Sequence, residues 1–153
     1  SGWPHLLVNA MVLFGFGQHV EGEFVLYAPA APSMVYLSLY IGGILFSSLA
    51  GYKRHMHDPD YRAGGASGAV SSVLFAYILM TPANKISLML FPVGLPAWMF
   101  GGLYLLYSWY MDKKRSDNVA HDAHFYGALF GLAFMFLLDP GIVGRFIEQL
   151  TGA

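Results

Sequence analysis

The sequence predicts an all-α fold, a polytopic helical membrane protein, from its composition and from where its charges lie. Hydrophobic residues make up 56% of the chain and charged residues only 11%, against roughly 25% charged in soluble domains. Five apolar stretches can be drawn, and Asp122 is the one acidic or basic residue inside any of them. A charge at the bilayer centre costs several kcal/mol, so this segregation is expected of membrane spans. Five buried helices in a soluble protein would leave no polar surface to cover them.

The expected spans follow in order, each closed by polar or turn-forming residues. They are His5–Val20, Val35–Tyr52, Ala63–Thr81, Leu95–Met111 and Val119–Leu138. All are at the short end of the ~17–25 residues that cross a bilayer. Pro29 and Pro32 break the chain between the first two spans. Ile86–Phe91 is apolar but short, and it reads as an interfacial connector.

The C-terminal segment reads as a separate short helix. Asp139 suits an N-cap and Pro140 the first helical position. One face would then be apolar, formed by Ile142, Val143, Phe146, Ile147 and Leu150. We therefore expect a transmembrane domain over 1–139 and an amphipathic helix on the membrane surface over 140–153. A plain soluble tail is the alternative.

Composition also removes several functions. The net charge of −1 provides no basic field for nucleic acid. Without cysteine, neither disulfides nor thiolate metal sites can form. His55-Met-His57-Asp58 and His121-Asp-Ala-His124 hold spacings that could bind zinc or iron, but the His-Glu-x-x-His motif is absent. We expect no metal and no cofactor, and a histidine-box metalloenzyme is the least favoured alternative.

Four polar residues near the starts of odd-numbered spans form the candidate site. His5 and Asn9 open the first span, Ser67 lies a few residues into the third, and His124 lies a few residues into the fifth. Odd spans enter the membrane from the same side, so these groups are expected near one face at similar depth. At ~1.5 Å per residue, their offsets differ by only a few ångströms.

Small residues surround the serine and the histidine at helical spacing. The third span carries the stripe Gly64, Ser67, Gly68 and Ser71, and the fifth carries His124, Gly127, Ala128 and Gly131. Two small stripes allow two helices to approach closely, and alanine at Gly127 is expected to preserve that approach. The serine hydroxyl could then meet the imidazole, as a nucleophile and its base require.

These residue types suggest roles. Ser67 would attack a carbonyl and His124 would take its proton, with His121 one turn away as the rival base. His5, Asn9 and the backbone N–H of Ser67 are the candidate donors to an oxyanion. Asp122 would lie about 200° around the helix from His124 and face away, so a dyad is expected.

Three motifs resemble those of the rhomboid family of intramembrane serine proteases. His5-Leu-Leu-Val-Asn9 resembles the family's His-x-x-x-Asn, and Gly65-Ala-Ser67-Gly68 its Gly-x-Ser-Gly. Ala123-His124-Phe-Tyr-Gly127-Ala-Leu-Phe-Gly131 resembles its Ala-His-x-x-Gly-x-x-x-Gly. The resemblance favours His124 over His121 as the base. It implies a rhomboid-like helical bundle, of which five of the usual six core helices are visible here; the first helix and the loop after it are expected to be missing.

The resemblance further implies a substrate and a location. A family member cleaves transmembrane segments of other membrane proteins within the lipid bilayer, and no nucleic acid is involved. We expect a bacterial inner (plasma) membrane protein whose site opens to the extracytoplasmic side, with Leu95–Met111 and Asp112–Asn118 as gate and cap. Counting basic residues instead would place the site in the cytoplasm.

The sequence also departs from the family pattern. Ser71 stands where the family often has an aromatic residue that stacks on the histidine. The alternative function is that of a catalytically inactive relative that binds membrane helices without cutting them.

Overall fold

The computed structural model describes residues 3–58, 66–88, 91–114 and 120–152. Six α-helices and one two-stranded hairpin occupy these ranges. In chain order they are α1 (Trp3–Glu23), α2 (Pro32–His55), α3 (Ser67–Met80), β1 (Lys85–Leu88), β2 (Phe91–Pro96), α4 (Ala97–Lys114), α5 (His121–Leu138) and α6 (Ile142–Thr151). A 3-10 turn, Phe24–Leu26, follows α1. Apart from the hairpin, the described structure is helical, as the sequence predicts.

Helix α3 is the centre of the bundle. Every residue from Ser67 to Ile78 is buried, and α1, α2, α4, α5 and α6 all pack against α3. Its 14 residues reach ~21 Å at ~1.5 Å per residue, less than the ~30 Å of a hydrocarbon core. A short helix is tolerated here because its neighbours shield it from the surroundings.

The outer helices expose large apolar side chains. Phe14 of α1 is 73% exposed, and Leu137 of α5 is 79% exposed. Others on the outer surface include Leu45 on α2 and Leu106 on α4. Apolar surface of this extent is unusual in soluble proteins and suits contact with lipid.

Two helices, α2 and α5, are long and apolar enough to cross a membrane, and α3 is apolar but shorter. That the chain crosses the membrane five times therefore remains a prediction.

Consecutive long helices alternate in direction, so polar groups collect at two ends of the bundle. At one end the His5 ring at the start of α1 lies 5.9 Å from the His124 ring in the first turn of α5. The last turn of α2 is there too, since His55 Nε2 is 3.1 Å from Asp122 Oδ2. At the opposite end, the Tyr27 hydroxyl donates to Asp139 Oδ2 at 2.9 Å.

The hairpin was not predicted. The predicted connector, Ile86–Phe91, lies within an antiparallel pair of strands, β1 and β2, in which Ile86 pairs with Leu95. The fourth helix begins at Ala97 rather than Leu95. A residue that precedes proline disfavours helical dihedral angles, and Leu95 precedes Pro96, so the extended chain continues to this point.

The starts of α3 and α6 also differ from the sequence prediction. Helix α3 begins at Ser67, so Ser67 is its first residue, and the earlier part of the predicted span lies outside the described residues. Helix α6 begins at Ile142, with Gly141 as its N-cap, not at Pro140. Asp139 instead ends α5, and its carboxylate accepts from the Gly141 N–H at 3.1 Å and pairs with Arg145.

Candidate active site

Ser67 lies where the chain enters the central helix. Ser67 is 3% exposed, and Ala66 precedes it as the N-cap of α3. The N–H groups of a first helical turn have no partner within the helix and point towards its N-terminal end. Ser67 therefore brings together a hydroxyl and a backbone donor. Gly64 of the predicted stripe lies outside the described residues.

Helices α3 and α5 touch through their backbones beside this serine. A Cβ atom at Gly127 would lie 2.7 Å from the Cα of Gly68, and one at Gly131 would lie 2.8 Å from the Cα of Ser72. Ser72 Oγ donates to the Gly127 carbonyl at 2.8 Å across the same contact. Only glycine permits this approach, which sets the start of α3 beside the start of α5.

His124 lies in the first turn of α5, next to this contact. A Cβ atom at Gly68 would be 3.2 Å from the carbonyl oxygen of Ala123, the residue before His124. Ser67 and His124 thus flank one place where two helices meet. Both residues are at the same end of the bundle.

Within the described ranges, the His124 imidazole contacts three other rings. The His5 ring stacks on it with centroids 5.9 Å apart and planes 13° apart. The Tyr104 ring stacks at 6.2 Å and 28°. His121 meets it edge-on at 5.9 Å and 80°.

Helix α1 brings the two candidate oxyanion donors to this end. His5 and Asn9 lie one turn apart, and both are partly buried. His5 Nε2 is buried and has no hydrogen-bond partner among the described residues.

His121, the rival base, is 5% exposed. Besides His124, its ring contacts Tyr107 of α4 edge-on at 5.6 Å. It therefore lies on the α4 side of the site, close enough to His124 that only mutation can separate their roles.

A second polar cluster joins α2, α4 and α5 at the same end. Single ligand atoms of His55, Asp112 and Asp122 lie within 4.8 Å of one another, a spacing that could hold a metal ion. The carboxylates already have partners: Arg54 Nη1 is 2.6 Å from Asp112 Oδ2, and His55 Nε2 is 3.1 Å from Asp122 Oδ2. The cluster is therefore explained by ion pairing between helices.

This arrangement differs from the histidine box considered from the sequence. His55 comes from one of the two motifs and Asp122 from the other, whereas His57 is exposed. Asp122 Oδ1 also accepts from the Ala123 N–H at 2.8 Å. The Asp122 carboxylate thus contacts both His55 of α2 and a backbone N–H in the first turn of α5.

Sequence reasoning missed Tyr104. Its hydroxyl is 2.7 Å from Ser71 Oγ, in addition to the ring contact with His124. A signal was present: Gly101, Tyr104 and Ser108 share one face of α4 at i, i+3 and i+7, and both small residues are buried. Small residues mark the face of α4 that packs inward, and Tyr104 is the large polar residue on it.

A bundle of apolar helices with an exposed apolar surface and a buried polar site at one end defines a class, the helical membrane proteins. The family model for the Rhomboid domain matches residues 1–140. The chain belongs to the rhomboid family, whose members are integral membrane proteins and in general serine proteases that act on membrane-protein substrates in the bilayer. No curated protein and no solved structure gave a significant match.

Proposed function

We propose that this chain is an intramembrane serine endopeptidase that cleaves transmembrane segments of other membrane proteins through a dyad of Ser67 and His124. One observation carries the proposal: the backbone contact of Gly68 with Gly127 puts the starts of α3 and α5 together. A buried serine and a histidine lie on either side of that contact, within the part of the chain that matches the family.

The chemistry follows from these positions. Ser67 Oγ attacks the scissile carbonyl carbon, and His124 accepts its proton. The imidazolium then gives this proton to the leaving amine, which leaves an acyl-enzyme. Water, deprotonated by the same imidazole, releases the acid product and restores the serine.

The negative charge on the tetrahedral intermediate needs donors fixed before the reaction. The Ser67 N–H belongs to a first helical turn, where it is free of helical bonding. Asn9 would add its side-chain amide and His5 its buried Nε2, which has no partner among the described residues. These groups come from α1 and α3, whereas the base comes from α5.

The substrate class and location complete the proposal. An exposed apolar surface lets a substrate helix approach through lipid, while the polar groups at one end of the bundle admit water. We place the protein in a bacterial inner membrane, with this end towards the extracytoplasmic side. The C-terminal α6 would lie along the opposite membrane surface.

Cleavage in liposomes tests the proposal. The purified chain is mixed with a fusion protein that carries one transmembrane segment between two reporters. We expect cleavage by the unchanged chain and none by Ser67→Ala. Ser38→Ala is the matched control, because Ser38 is an exposed serine of α2.

Three outcomes would contradict the proposal. Cleavage by Ser67→Ala would remove the nucleophile. A substrate helix that binds but stays intact would indicate the catalytically inactive relative. Inhibition by a chelator would favour the metalloenzyme.

A further inference from the structure

We infer that Tyr104 is the residue that positions the His124 base, so that the competence of the dyad depends on how α4 docks against α3 and α5. This inference rests on the proposed protease function. Tyr104 is a positioning residue: it acts through His124 and has no part in the bond-forming steps.

Both ends of the Tyr104 side chain are held. Its hydroxyl is 2.7 Å from Ser71 Oγ, one turn beyond Ser67 on α3. Its ring contacts Phe75 of α3 at 5.7 Å between centroids. The side chain therefore has one place in the packing, from which its ring stacks on His124 at 28°.

A base needs such support because the histidine ring turns easily. The torsion between an sp³ carbon and a flat ring has broad minima, yet one imidazole nitrogen must face the serine hydroxyl. In triad proteases a carboxylate orients the imidazole. Here the nearest acid in sequence, Asp122, is paired with His55 and caps its own helix. Ring stacking by Tyr104 restrains the imidazole.

The groups that face His124 come from different helices. His5 belongs to α1, Tyr104 to α4 and His121 to α5 itself. His5 is already assigned to the oxyanion, and His121 meets the ring edge-on rather than in a stack. Tyr104 is thus the uncharged ring that restrains the base while taking no proton.

A second contact fixes α4 about two turns beyond Tyr104. Asp112 near the end of α4 pairs with Arg54 of α2 at 2.6 Å. Displacement of α4 would withdraw the Tyr104 ring from His124 and break its bond to Ser71. The position of α4 therefore determines whether the base is oriented.

Steady-state cleavage by variants at position 104 tests the inference. Tyr104→Met replaces the ring with a flexible apolar chain, and Tyr104→Phe keeps the ring but loses the hydroxyl. We expect Tyr104→Met to lower kcat by about 3- to 10-fold, the range that one aromatic contact provides, with KM unchanged. Tyr104→Phe should retain kcat within about twofold. Tyr110→Leu is the matched control, since Tyr110 is 55% exposed on the same helix.

A double mutant separates the hydrogen bond from the stack. The double variant Ser71→Ala, Tyr104→Phe should lose no more activity than either single variant, because each single change already removes the same hydrogen bond between the two side chains.

Normal kcat in Tyr104→Met, or an equal loss in Tyr110→Leu, would overturn the inference. Tyr104→Leu is the second variant if Tyr104→Met does not fold; loss of folding in both would show that Tyr104 supports the bundle and not the base. Failure of the proposed function is a separate result, seen as an intact substrate with the unchanged chain or as cleavage by Ser67→Ala.

Discussion

At the scale of single residues, the proposed site depends on a serine at the first position of a buried helix. Ser67 begins α3 with 3% of its surface exposed. That position supplies a hydroxyl and a backbone N–H that has no acceptor within the helix, both from one residue. His124 lies at the same end of the bundle, and its ring stacks on the His5 ring of α1 and the Tyr104 ring of α4.

The two histidines of the α5 start are distinguished by mutation. We expect Ser67→Ala and His124→Ala each to abolish cleavage, because either change removes a member of the dyad. His121→Ala should retain substantial activity, since its ring contacts Tyr107 and only borders His124. Cleavage is measured in liposomes, with circular dichroism as the check on helicity. An active His124→Ala with an inactive His121→Ala would reverse the assignment.

The oxyanion donors give a second prediction at this scale. We expect Asn9→Ala to lower kcat on the order of 10²-fold, as loss of one oxyanion donor typically does. His5→Ala should be similar or milder. Steady-state cleavage measures both, with Gln18→Ala as the control on the same helix because Gln18 is exposed. Unchanged kcat in Asn9→Ala would remove Asn9 from the mechanism.

Residue-scale chemistry could be read from the sequence only in part. Serine and histidine at the starts of apolar stretches stand out, because polar groups are rare there and few residue types act as nucleophile or base. Tyr104 did not stand out among the ten tyrosines of the chain. Its role depends on the rotation of α4 about its axis, which sets the ring over His124.

At the scale of elements, the contact of α3 with α5 decides the geometry. The backbone of Gly127 lies against Gly68, and that of Gly131 against Ser72. The sequence pattern suggests that any small residue would serve at these positions. The structure corrects this, since even one Cβ atom at Gly127 would overlap the backbone of α3.

We therefore expect Gly127→Ala to destabilise the protein by about 1–3 kcal/mol, the usual cost of overpacking, and to reduce cleavage together with stability. Gly127→Val should be worse. Thermal unfolding in detergent measures the change. Gly102→Ala is the control, because a Cβ atom at Gly102 would meet nothing within 4 Å. A fully stable and active Gly127→Ala protein would mean that α3 and α5 do not meet at this glycine.

The sequence predicted the types of most elements better than it predicted where they begin and end. Apolar runs predicted where the helices lie, but the β1–β2 hairpin was missed. Lys85–Leu88 does alternate polar and apolar residues, but this run is only four residues long and passes directly into three further apolar residues. The start of α6 was misplaced because Asp139 offers a plausible cap. In the structure its carboxylate is shared with Tyr27 and Arg145, and Gly141 precedes the helix.

At the scale of the whole molecule, two sets of polar contacts hold the ends of an apolar bundle. The pair of His55 and Asp122 joins α2 to α5 beside the site, with side chains 4% and 2% exposed. Asp139 joins Tyr27 to Arg145 at the other end. Consecutive helices alternate in direction, as inferred from the spans, and this brings the starts of α1, α3 and α5 to one end. Motifs far apart in sequence therefore lie at the same end of the bundle.

Removal of the buried pair of His55 and Asp122 tests whether polar contacts stabilise this end of the bundle. We expect His55→Ala to lower the free energy of unfolding on the order of 3 kcal/mol, because removal of one partner leaves the Asp122 carboxylate buried without it. His57→Ala, an exposed histidine of the same segment, should have almost no effect. Denaturant unfolding in micelles compares the two variants. Equal stability of both would show that the pair contributes little to holding α2 and α5 together.

The central claim is that Ser67 is a nucleophile activated by His124, and covalent labelling tests it most directly. The chain in liposomes is treated with a serine-directed fluorophosphonate, digested and mapped by mass spectrometry. The account predicts one labelled serine, Ser67, with labelling abolished in His124→Ala and retained in His121→Ala. Absence of label on Ser67 in the unchanged chain, or labelling that persists unchanged in His124→Ala, would contradict it.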